Sequence, residues 1–450
     1  VSRADASLMN LYGLQGIAET INAFASDEIK QEYLPKLARG EHTGAMVLTE
    51  PDAGSDLQAV KVRAYQDGEG NWFVSGVKRF ITNGCGDVLL VLARTEPEIT
   101  DGRGLSLLLV ERGPRVKVRR LEEKLGIHGS PTCELFFDDA PAKLIGERQR
   151  GLVTYVMSLM NGARVGIAAQ SLGIGEAALR LARNYAHSRK QFHKAIEDLP
   201  AVRELLVNMA IDVQAARALT YYCAYCVDLE YVALRKMEFG EPDKDEKKAL
   251  KQESRKLKRY NGMLTPMSKY YASEMSMRVA NDCVAVLGGS GYMKDYAAER
   301  YLRDARITTI YEGTTQLQVV AAVRGVASGG AENVICEILD REFPAEVQPL
   351  VDQVTAALPE LKETIEFVKQ QGGDYIDLVG RKLVDMAITL IVAALFCDHA
   401  TASETKLTVA RRWLSMKLPQ FHADREFIRS GDRSVIDEFE TIAGPVPALA

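Results

Sequence analysis

Glu312 is a lone carboxylate on a short polar bend, and a carboxylate so placed can act as a base. Residues 308–316 read Thr-Thr-Ile-Tyr-Glu-Gly-Thr-Thr-Gln, between a predicted helix over 297–305 and another over 316–326. Backbone N–H groups at the start of a helix favour anions. The same residue could instead be a helix-initiating Glu that complements the helix dipole beside capping threonines. This segment alone leaves both interpretations open.

Two other segments combine turn-forming residues with polar groups. Residues 48–56 read Leu-Thr-Glu-Pro-Asp-Ala-Gly-Ser-Asp, in which Pro51 and Gly54 shape a turn that presents backbone N–H groups and hydroxyls to a polar ligand. Residues 78–84 follow as Lys-Arg-Phe-Ile-Thr-Asn-Gly. A cluster of Pro, Asp, Gly and Ser is usually just a turn. The first segment becomes stronger evidence for a ligand-binding loop because the second follows it.

Composition limits the function classes. The chain has 450 residues, of which 47% are hydrophobic and 26% charged, and this predicts two to four domains with sizeable cores. A net charge of −5 gives no global attraction to nucleic acid or anionic membranes, although local basic patches remain possible. We therefore expect no nucleic-acid partner.

Seven cysteines at irregular spacings predict reduced thiols and a cytoplasmic location rather than a disulfide framework. Cys223 and Cys226 form one CxxC, for which two helix-facing thiols is the favoured interpretation and a zinc site the minor one. The histidines lack metal-ligand spacing, so no metal is expected. The apolar run 387–397 is shorter than the roughly 20 residues that span a bilayer, so we expect no transmembrane segment. The start, Val-Ser-Arg-Ala-Asp, suggests a truncated or processed N-terminus.

The predicted secondary structure changes along the chain from helix to strand and back to helix. Residues 7–40 read as helix, and from about residue 44 the pattern changes to strands, including a hairpin of 61–66 with 72–82. From residue 151 helices return, with long ones at 200–238 and 263–287 separated by a charged segment, 240–260. We interpret that segment as a solvated helical extension, with nucleotide-phosphate binding as the minor alternative. Further strands and amphipathic helices are predicted at 87–94, 105–111, 116–119, 134–138, 345–370, 374–402 and 404–418.

These patterns predict a multidomain α+β chain that is mostly α. Its parts are the end of an N-terminal helical domain, a central antiparallel β-sheet or barrel domain, a helical bundle and an extra helical appendage. The predicted ranges are 1–43, 44–147, 151–329 and 330–450.

The order of these motifs over residues 7–326 resembles the acyl-CoA dehydrogenase family. Segments 48–56 and 78–84 look like its flavin-binding segments, and further matching stretches are 125–134, 164–169, 189–192 and 285–292. The charged segment and the appendage resemble the larger bacterial members, including the methylthiopropionyl-CoA-dehydrogenase-like group. Two residues depart from the pattern: His193 stands where the family usually has Gly, and Ala285 replaces a commoner polar residue.

The resemblance implies FAD as cofactor and Glu312 as catalytic base. An aromatic residue at Phe80 would pack on the flavin, and the Thr82 hydroxyl would bond near its N5. Some members place the base immediately before Arg164, where this chain has Ala163, which cannot serve. The cofactor-binding residues implied are Leu48, Thr49, Gly54, Ser55, Phe80, Ile81, Thr82, Arg189, Gln191, Gly288, Gly289, Thr314 and Gln316. The substrate-binding residues implied are Ser55, Arg164 and Gly313.

The implied reaction is α,β-dehydrogenation of an acyl-CoA thioester to trans-2-enoyl-CoA, with electrons passed to electron-transferring flavoprotein. In the family, the Gly288-Gly289 turn touches the FAD of a neighbouring subunit, so a homodimer or homotetramer is expected. Two alternatives stay open at this point: an acyl-CoA oxidase that reacts with oxygen, and a non-catalytic acyl-CoA-binding relative. The acyl group itself cannot be read from these residues.

Overall fold

The computed structural model describes residues 1–14 and 16–447. The chain forms two compact units. The first comprises Val1–Met209 and Ala272–Thr314, and the second comprises Ala210–Tyr271 and Thr315–Ala450.

The first unit opens with three helices that pack on a β-sheet. Apolar side chains at helical spacing, such as Ile17 and Ile21, share one core with Leu90 and Leu107 of the sheet. Acidic residues in the first turn of the third helix complement its dipole. The three helices are α1 (Ala6–Leu14), α2 (Gly16–Phe24) and α3 (Asp27–Ala38).

Seven strands follow, and their pairing closes a barrel. The order is β1-β4-β2-β3-β7-β5, and β5 also pairs with β4, while β6 is added on β7. The predicted hairpin is confirmed, with Gln66 opposite Trp72. The strands are β1 (Gly44–Val47), β2 (Arg63–Gln66), β3 (Trp72–Thr82), β4 (Val88–Arg94), β5 (Leu105–Glu111), β6 (Val116–Leu121) and β7 (Thr132–Ile145).

Strand β4 explains why the sequence lacks alternation there. Leu90 and Leu92 belong to the core shared with the helices, whereas Leu89 and Val91 belong to the core inside the barrel. Because both faces are covered, every position of the strand is apolar.

The sequence patterns predict an antiparallel sheet, but the observed sheet also contains parallel pairs. β1 runs parallel to β4, and β2 meets β4 in the parallel sense at Arg63 and Arg94. Some forty residues separate β1 from β4 in the chain, enough for a return in the same direction. Alternating hydrophobicity specifies which face is buried, and it carries no information on strand direction.

A six-residue π-helical turn, Gly151–Val156, leads into the helical part of the first unit. Its long helix α4 (Met157–Ser188) is followed by the small hairpin β8 (Lys190–Gln191) and β9 (Lys194–Ala195). Two longer helices, α5 (Pro200–Phe239) and α6 (Lys244–Leu287), contribute residues to both units. The first unit ends with α7 (Gly289–Tyr292), α8 (Ala298–Arg306) and the turn that carries Glu312.

Helix α6 joins two segments that the sequence analysis had separated. Residues 244–260 of the charged segment form its first turns, which confirms the interpretation as a helical extension, and residues 240–243 precede the helix. Leu257, Tyr260 and Leu264 are buried at helical spacing, so one buried face runs through the expected break.

The second unit is helical. Its helix α12 (Gly373–Ala400) is continuously buried from Met386 to Cys397. Helix α13 (Glu404–Arg429) packs on it, and the Trp413 indole donates a hydrogen bond to the Thr389 carbonyl at 3.0 Å. Helix α13 continues past its predicted end at residue 418 because Phe421 and Ile428 extend its buried face. The helices are α9 (Thr315–Ala327), α10 (Gly330–Leu339), α11 (Gln348–Gln370), α12 (Gly373–Ala400), α13 (Glu404–Arg429), α14 (Ser434–Asp437) and α15 (Phe439–Ala443).

Two helical stretches of the described chain are long and apolar enough to cross a membrane by length and composition: Gly151–Ser188 and Gly373–Ala400. The bent pair of α9 and α10 would pass the same test as one span. In Gly373–Ala400, 83% of the most apolar window is buried inside the protein, which is how a core helix behaves. The absence of a transmembrane segment stays a prediction.

Candidate active site

The loop 48–56 is tied to strand β3 by main-chain contacts. The Arg79 N–H donates to the Thr49 carbonyl at 2.9 Å, and Glu50 and Ala53 exchange a pair of backbone hydrogen bonds. Leu48 is buried, whereas Gly54 and Ser55 are exposed. The loop therefore has an anchored base and an exposed tip.

A buried ion pair lies beneath this loop. The Lys78 ammonium is completely buried and donates to Glu50 Oε1 at 2.9 Å and to the Leu48 carbonyl at 2.7 Å. The Glu50 carboxylate also accepts from the backbone N–H groups of Lys61 at 2.8 Å and Val62 at 2.9 Å. Burial lowers the pKa of Lys78 to about 8, against the opposing charge of Glu50. The Glu50 carboxylate thus links the 48–56 loop to the segment at Lys61 and Val62 and to Lys78 of strand β3.

Phe80 presents an exposed aromatic ring on strained backbone. Its φ is +60°, in the left-handed region that non-glycine residues avoid, and 53% of the residue is exposed. The pairing of β3 with β7 is irregular between Lys78 and Ile81, and this bulge turns the ring outward. The Arg79 guanidinium lies 4.7 Å from the ring centroid. An exposed ring held this way fits an aromatic cofactor.

The other residues of this segment differ in what they can offer a ligand. The Thr82 side chain is half-buried. The Ile81 side chain belongs to the barrel core, so only its backbone could contact a ligand.

Glu312 lies in the turn immediately before α9, as the sequence predicted. Its φ is +53° and that of Gly313 is +90°, so two successive residues adopt left-handed backbone. The residue is half-buried. Strain of this kind persists only where the surroundings hold it, and it is frequent at active sites.

Arg164 of α4 lies close to this carboxylate. The guanidinium is buried, and burial lowers the pKa of Arg164 while the negative charge of Glu312 acts in the opposite direction. A cation beside a carboxylate favours its ionised form, the form that can accept a proton.

The residue next to Glu312 is held by a buried polar network. The Tyr311 hydroxyl donates to Gln170 Oε1, and Gln170 Nε2 donates to the Ala6 carbonyl at 2.8 Å and to Asn10 Oδ1 at 3.2 Å. Asn10 Nδ2 in turn donates to Ser130 Oγ at 3.0 Å. Burial, followed by the charge of Glu312, raises the pKa of Tyr311 well above its ordinary value, so its hydroxyl keeps its proton.

A second contact joins the barrel to helix α8, which precedes Glu312 in the chain. The Ile127 N–H donates to Asp304 Oδ1 at 2.6 Å, and Ile127 itself has φ +44°. A Cβ on Gly126 would come within 2.5 Å of the Arg303 backbone, so this close approach requires glycine. The loop 125–130 thereby connects the barrel with α8.

The remaining predicted cofactor residues lie at the far end of α4. Arg189 and Gln191 are exposed at and after the helix C-terminus, and the exposed Gly288-Gly289 turn adjoins them through a 3.3 Å hydrogen bond from the Tyr185 hydroxyl to Ser290 Oγ. Along one helix axis, the distance from Arg164 to Ser188 is about 36 Å. One chain therefore presents two separated groups of predicted site residues.

Two residues that depart from the family pattern and two further predicted cofactor residues differ in backbone conformation and exposure. His193, in place of the usual Gly, has φ +64°, so it adopts the backbone that a glycine would accept without strain. Ala285 is exposed, one turn before Gly288. Thr314 is half-buried beside Gly313, and Gln316 is exposed in the first turn of α9. The sequence analysis missed Asn10, Gln170, Tyr311 and Asp304 as site residues, and it gave Glu50 and Lys78 no role.

Family models match four consecutive parts of the chain. They are the acyl-CoA dehydrogenase N-terminal domain at 1–41, the middle domain at 45–140, the C-terminal domain at 150–327, and the model described as acyl-CoA dehydrogenase C terminal at 328–432. An acyl-CoA dehydrogenase of Bacillus subtilis (strain 168) is 39% identical over 66% of this chain and 71% of its own length.

The chain belongs to the acyl-CoA dehydrogenase family.

Further similarities place this family member among oxidoreductases. The acryloyl-CoA reductase (NADH) of Anaerotignum propionicum is 37% identical over 72% of this chain and 75% of its own length. A chain in the structure of the electron transferring flavoprotein of Acidaminococcus fermentans has a TM-score of 0.59 at 36% identity, covering 69% of this chain and 74% of that one.

The acyl-CoA dehydrogenase of Bacillus anthracis complexed with FAD has a TM-score of 0.77 at 24% identity. It covers 96% of this chain and 77% of that one. At this identity the similarity shows the fold alone, and its coverage is broad enough to include C-terminal helices.

The buried pair of Glu50 and Lys78 yields a stability prediction. Glu50→Gln leaves a buried ammonium without its counter-charge, which costs about 3–5 kcal/mol of the free energy of unfolding. The double variant Glu50→Gln, Lys78→Met should recover much of that loss, because neither charge is then buried alone. Urea unfolding followed by circular dichroism measures both, and a Glu50→Gln protein as stable as the wild type would contradict the assignment.

Lys78 also predicts a pH dependence. Its pKa is about 8 in the folded protein, against an ordinary value of 10.5, so the folded state releases this proton first and the unfolded chain binds more protons in between. The contribution of Lys78 to the free energy of unfolding should therefore rise as the pH increases from about 8 to 10.5. Lys78→Met should lack this contribution. The measurement is urea unfolding of both proteins across that range, and parallel curves would argue against the lowered pKa.

Proposed function

We propose that this protein catalyses α,β-dehydrogenation of an acyl-CoA thioester to the trans-2-enoyl-CoA, with Glu312 as the base that removes the α-proton. The observation that carries the proposal is the strained, half-buried Glu312 beside the buried Arg164. Of the two interpretations of this carboxylate, a helix-initiating role explains neither the φ of +53° nor a buried cation next to it.

FAD is the cofactor, and when bound it would supply the acceptor for the β-hydride, which carries both electrons of the oxidation. The groups that would hold its ring system are the exposed Phe80, the half-buried Thr82 and the anchored base of the loop at Leu48 and Thr49. The Glu50–Lys78 pair would act through these residues by holding the loop against strand β3.

The thioester α-proton is too weakly acidic for a carboxylate in water, so the surroundings of Glu312 must help. An acyl chain that excludes water strengthens electrostatic interactions there. In this proposal a backbone N–H of the turn at Glu312 and Gly313 donates to the thioester carbonyl as negative charge develops on it. Tyr311, fixed by Gln170, keeps this turn in one conformation.

The arrangement of the two groups of site residues supports a homodimer or a higher homo-oligomer. About 36 Å of helix separates Arg164 from the Arg189 end of α4. We propose that Arg189, Gln191 and the Gly288-Gly289 turn contribute to the cofactor site of a second copy. Their exposure, together with that of Phe192, fits a surface that a partner covers.

We further propose that the electrons pass to electron-transferring flavoprotein, in keeping with the similarity to a chain in a structure of that flavoprotein. The reductase relative indicates that related proteins run the reaction in the other direction. In that direction a protonated Glu312 would return the proton to Cα, so the same residue serves both. The family models and the Bacillus subtilis relative favour dehydrogenation.

Glu312→Gln tests the proposed base. The amide cannot accept the α-proton, so anaerobic bleaching of the flavin by an acyl-CoA should slow by about 10²–10⁴-fold. The variant should retain FAD absorbance and acyl-CoA binding. Glu346→Gln, a change of the same kind at an exposed carboxylate, is the matched control. Bleaching of the Glu312→Gln flavin at wild-type speed in the stopped-flow instrument would remove the assignment.

Arg164 should control the pH at which the base works. Arg164→Gln removes the cation that favours ionised Glu312, so the acid limb of the kcat/KM profile should move to higher pH. Arg164→Lys keeps the charge and should leave that limb near its wild-type position. Coincident acid limbs in wild type and Arg164→Gln would show that the two groups do not interact.

A further inference from the structure

The first turns of helix α6 carry a local excess of positive charge. Residues 244–259 contain eight Lys and Arg side chains and three Asp and Glu, in a chain whose net charge is −5. Five of the cations lie along one helix face. The first four are spaced by three, four and three residues, and the fifth directly follows the fourth in the chain. All five are exposed. We call this face the cationic stripe; its residues are Lys248, Lys251, Arg255, Lys258 and Arg259.

The stripe is not neutralised from within the protein. Throughout the described ranges 1–14 and 16–447, none of its five side chains forms an ion pair or a hydrogen bond. Lys256, on the neighbouring face of the same helix, behaves differently: its ammonium lies 3.5 Å from Glu253 and 3.5 Å from Glu337. Like charges spaced three and four residues apart on a helix destabilise it. The stripe therefore costs stability without any compensating internal contact.

Exposed apolar side chains lie close to the stripe in the chain. The last turns of α5 expose Val232 by 47%, Leu234 by 46% and Phe239 by 64%. Only residues 240–243 separate the end of α5 from the start of α6. Cationic side chains combined with exposed aliphatic and aromatic ones are characteristic of segments that bind the interface of an anionic membrane.

We propose that the cationic stripe docks this protein peripherally on an anionic phospholipid surface. The stripe is about 16 Å long, so several headgroups lie within its reach. All five side chains have long flexible stems that reach phosphate from a helix lying along the surface. The exposed Val232, Leu234 and Phe239 add apolar contacts that a lipid interface accepts and that the phosphate backbone of a nucleic acid does not offer. The proposal is independent of the role of Glu312.

The test is sedimentation of the full-length protein with vesicles of phosphatidylcholine alone or mixed with phosphatidylserine. Binding should require phosphatidylserine and be lost as salt is raised from about 0.1 M to about 1 M, where the Debye length falls from about 10 Å to about 3 Å. Lys251→Gln and Arg255→Gln should each weaken partitioning about fivefold. Lys256→Gln removes the same charge from a different face of the same helix and is the matched control. Phe239→Ser should weaken binding to phosphatidylserine vesicles at about 0.1 M salt, because it removes an apolar contact with the lipid interface.

Circular dichroism and flavin bleaching of each variant at wild-type levels would show that the fold and the active site are intact. Equal binding to neutral and anionic vesicles would overturn the proposal. So would a Lys256→Gln protein that loses as much binding as Lys251→Gln. Binding of a duplex oligonucleotide through the same residues, without binding to anionic vesicles, would reject the lipid surface in favour of nucleic acid.

Discussion

The buried ion pair of Glu50 and Lys78 is the interaction on which the part of the first unit proposed to hold the cofactor depends. A buried charge is tolerated only when it is paired and hydrogen-bonded, so Lys78 requires Glu50, and the carboxylate also accepts from Lys61 and Val62. These contacts fix where the 48–56 loop starts and where it rejoins the barrel. They also fix strand β3 at the point where its bulge turns Phe80 outward.

The surroundings of Glu312, the proposed base, are organised by a different principle. Glu312 has a left-handed backbone conformation, which is strained for a residue with a side chain. The neighbouring Tyr311 is connected by hydrogen bonds through Gln170 and Asn10 to Ser130 of the barrel. This chain of hydrogen bonds links the N-terminal helices, α4 and the barrel to the turn. Strain at Glu312 is therefore borne by contacts from three elements that are distant in sequence, which is how a strained residue is retained.

Much of the fold follows from periodicity. The hairpin of β2 and β3, the return to helix at residue 151 and the helix after Glu312 all have local signals, and the structure confirms them. Strand direction and the continuity of α6 lacked such signals. The parallel pairing of β1 with β4 depends on the path of the intervening chain, and α6 continues because the buried positions Leu257, Tyr260 and Leu264 stay in register across the charged segment.

The sequence by itself determined the candidates for chemistry, because Glu312, Phe80 and Thr82 lie in compact motifs whose order is characteristic of the acyl-CoA dehydrogenase family. It also determined the charge surplus of residues 244–259, which is a matter of composition. Only the tertiary structure decided which charged side chains of the protein are paired. It brought Lys78 to Glu50 and Arg164 to Glu312, and within the part of the chain that the structure describes it left the side chains of the cationic stripe without ion-pair partners. The reason is that pairing depends on distances between residues far apart in the chain, which packing sets and local sequence does not encode.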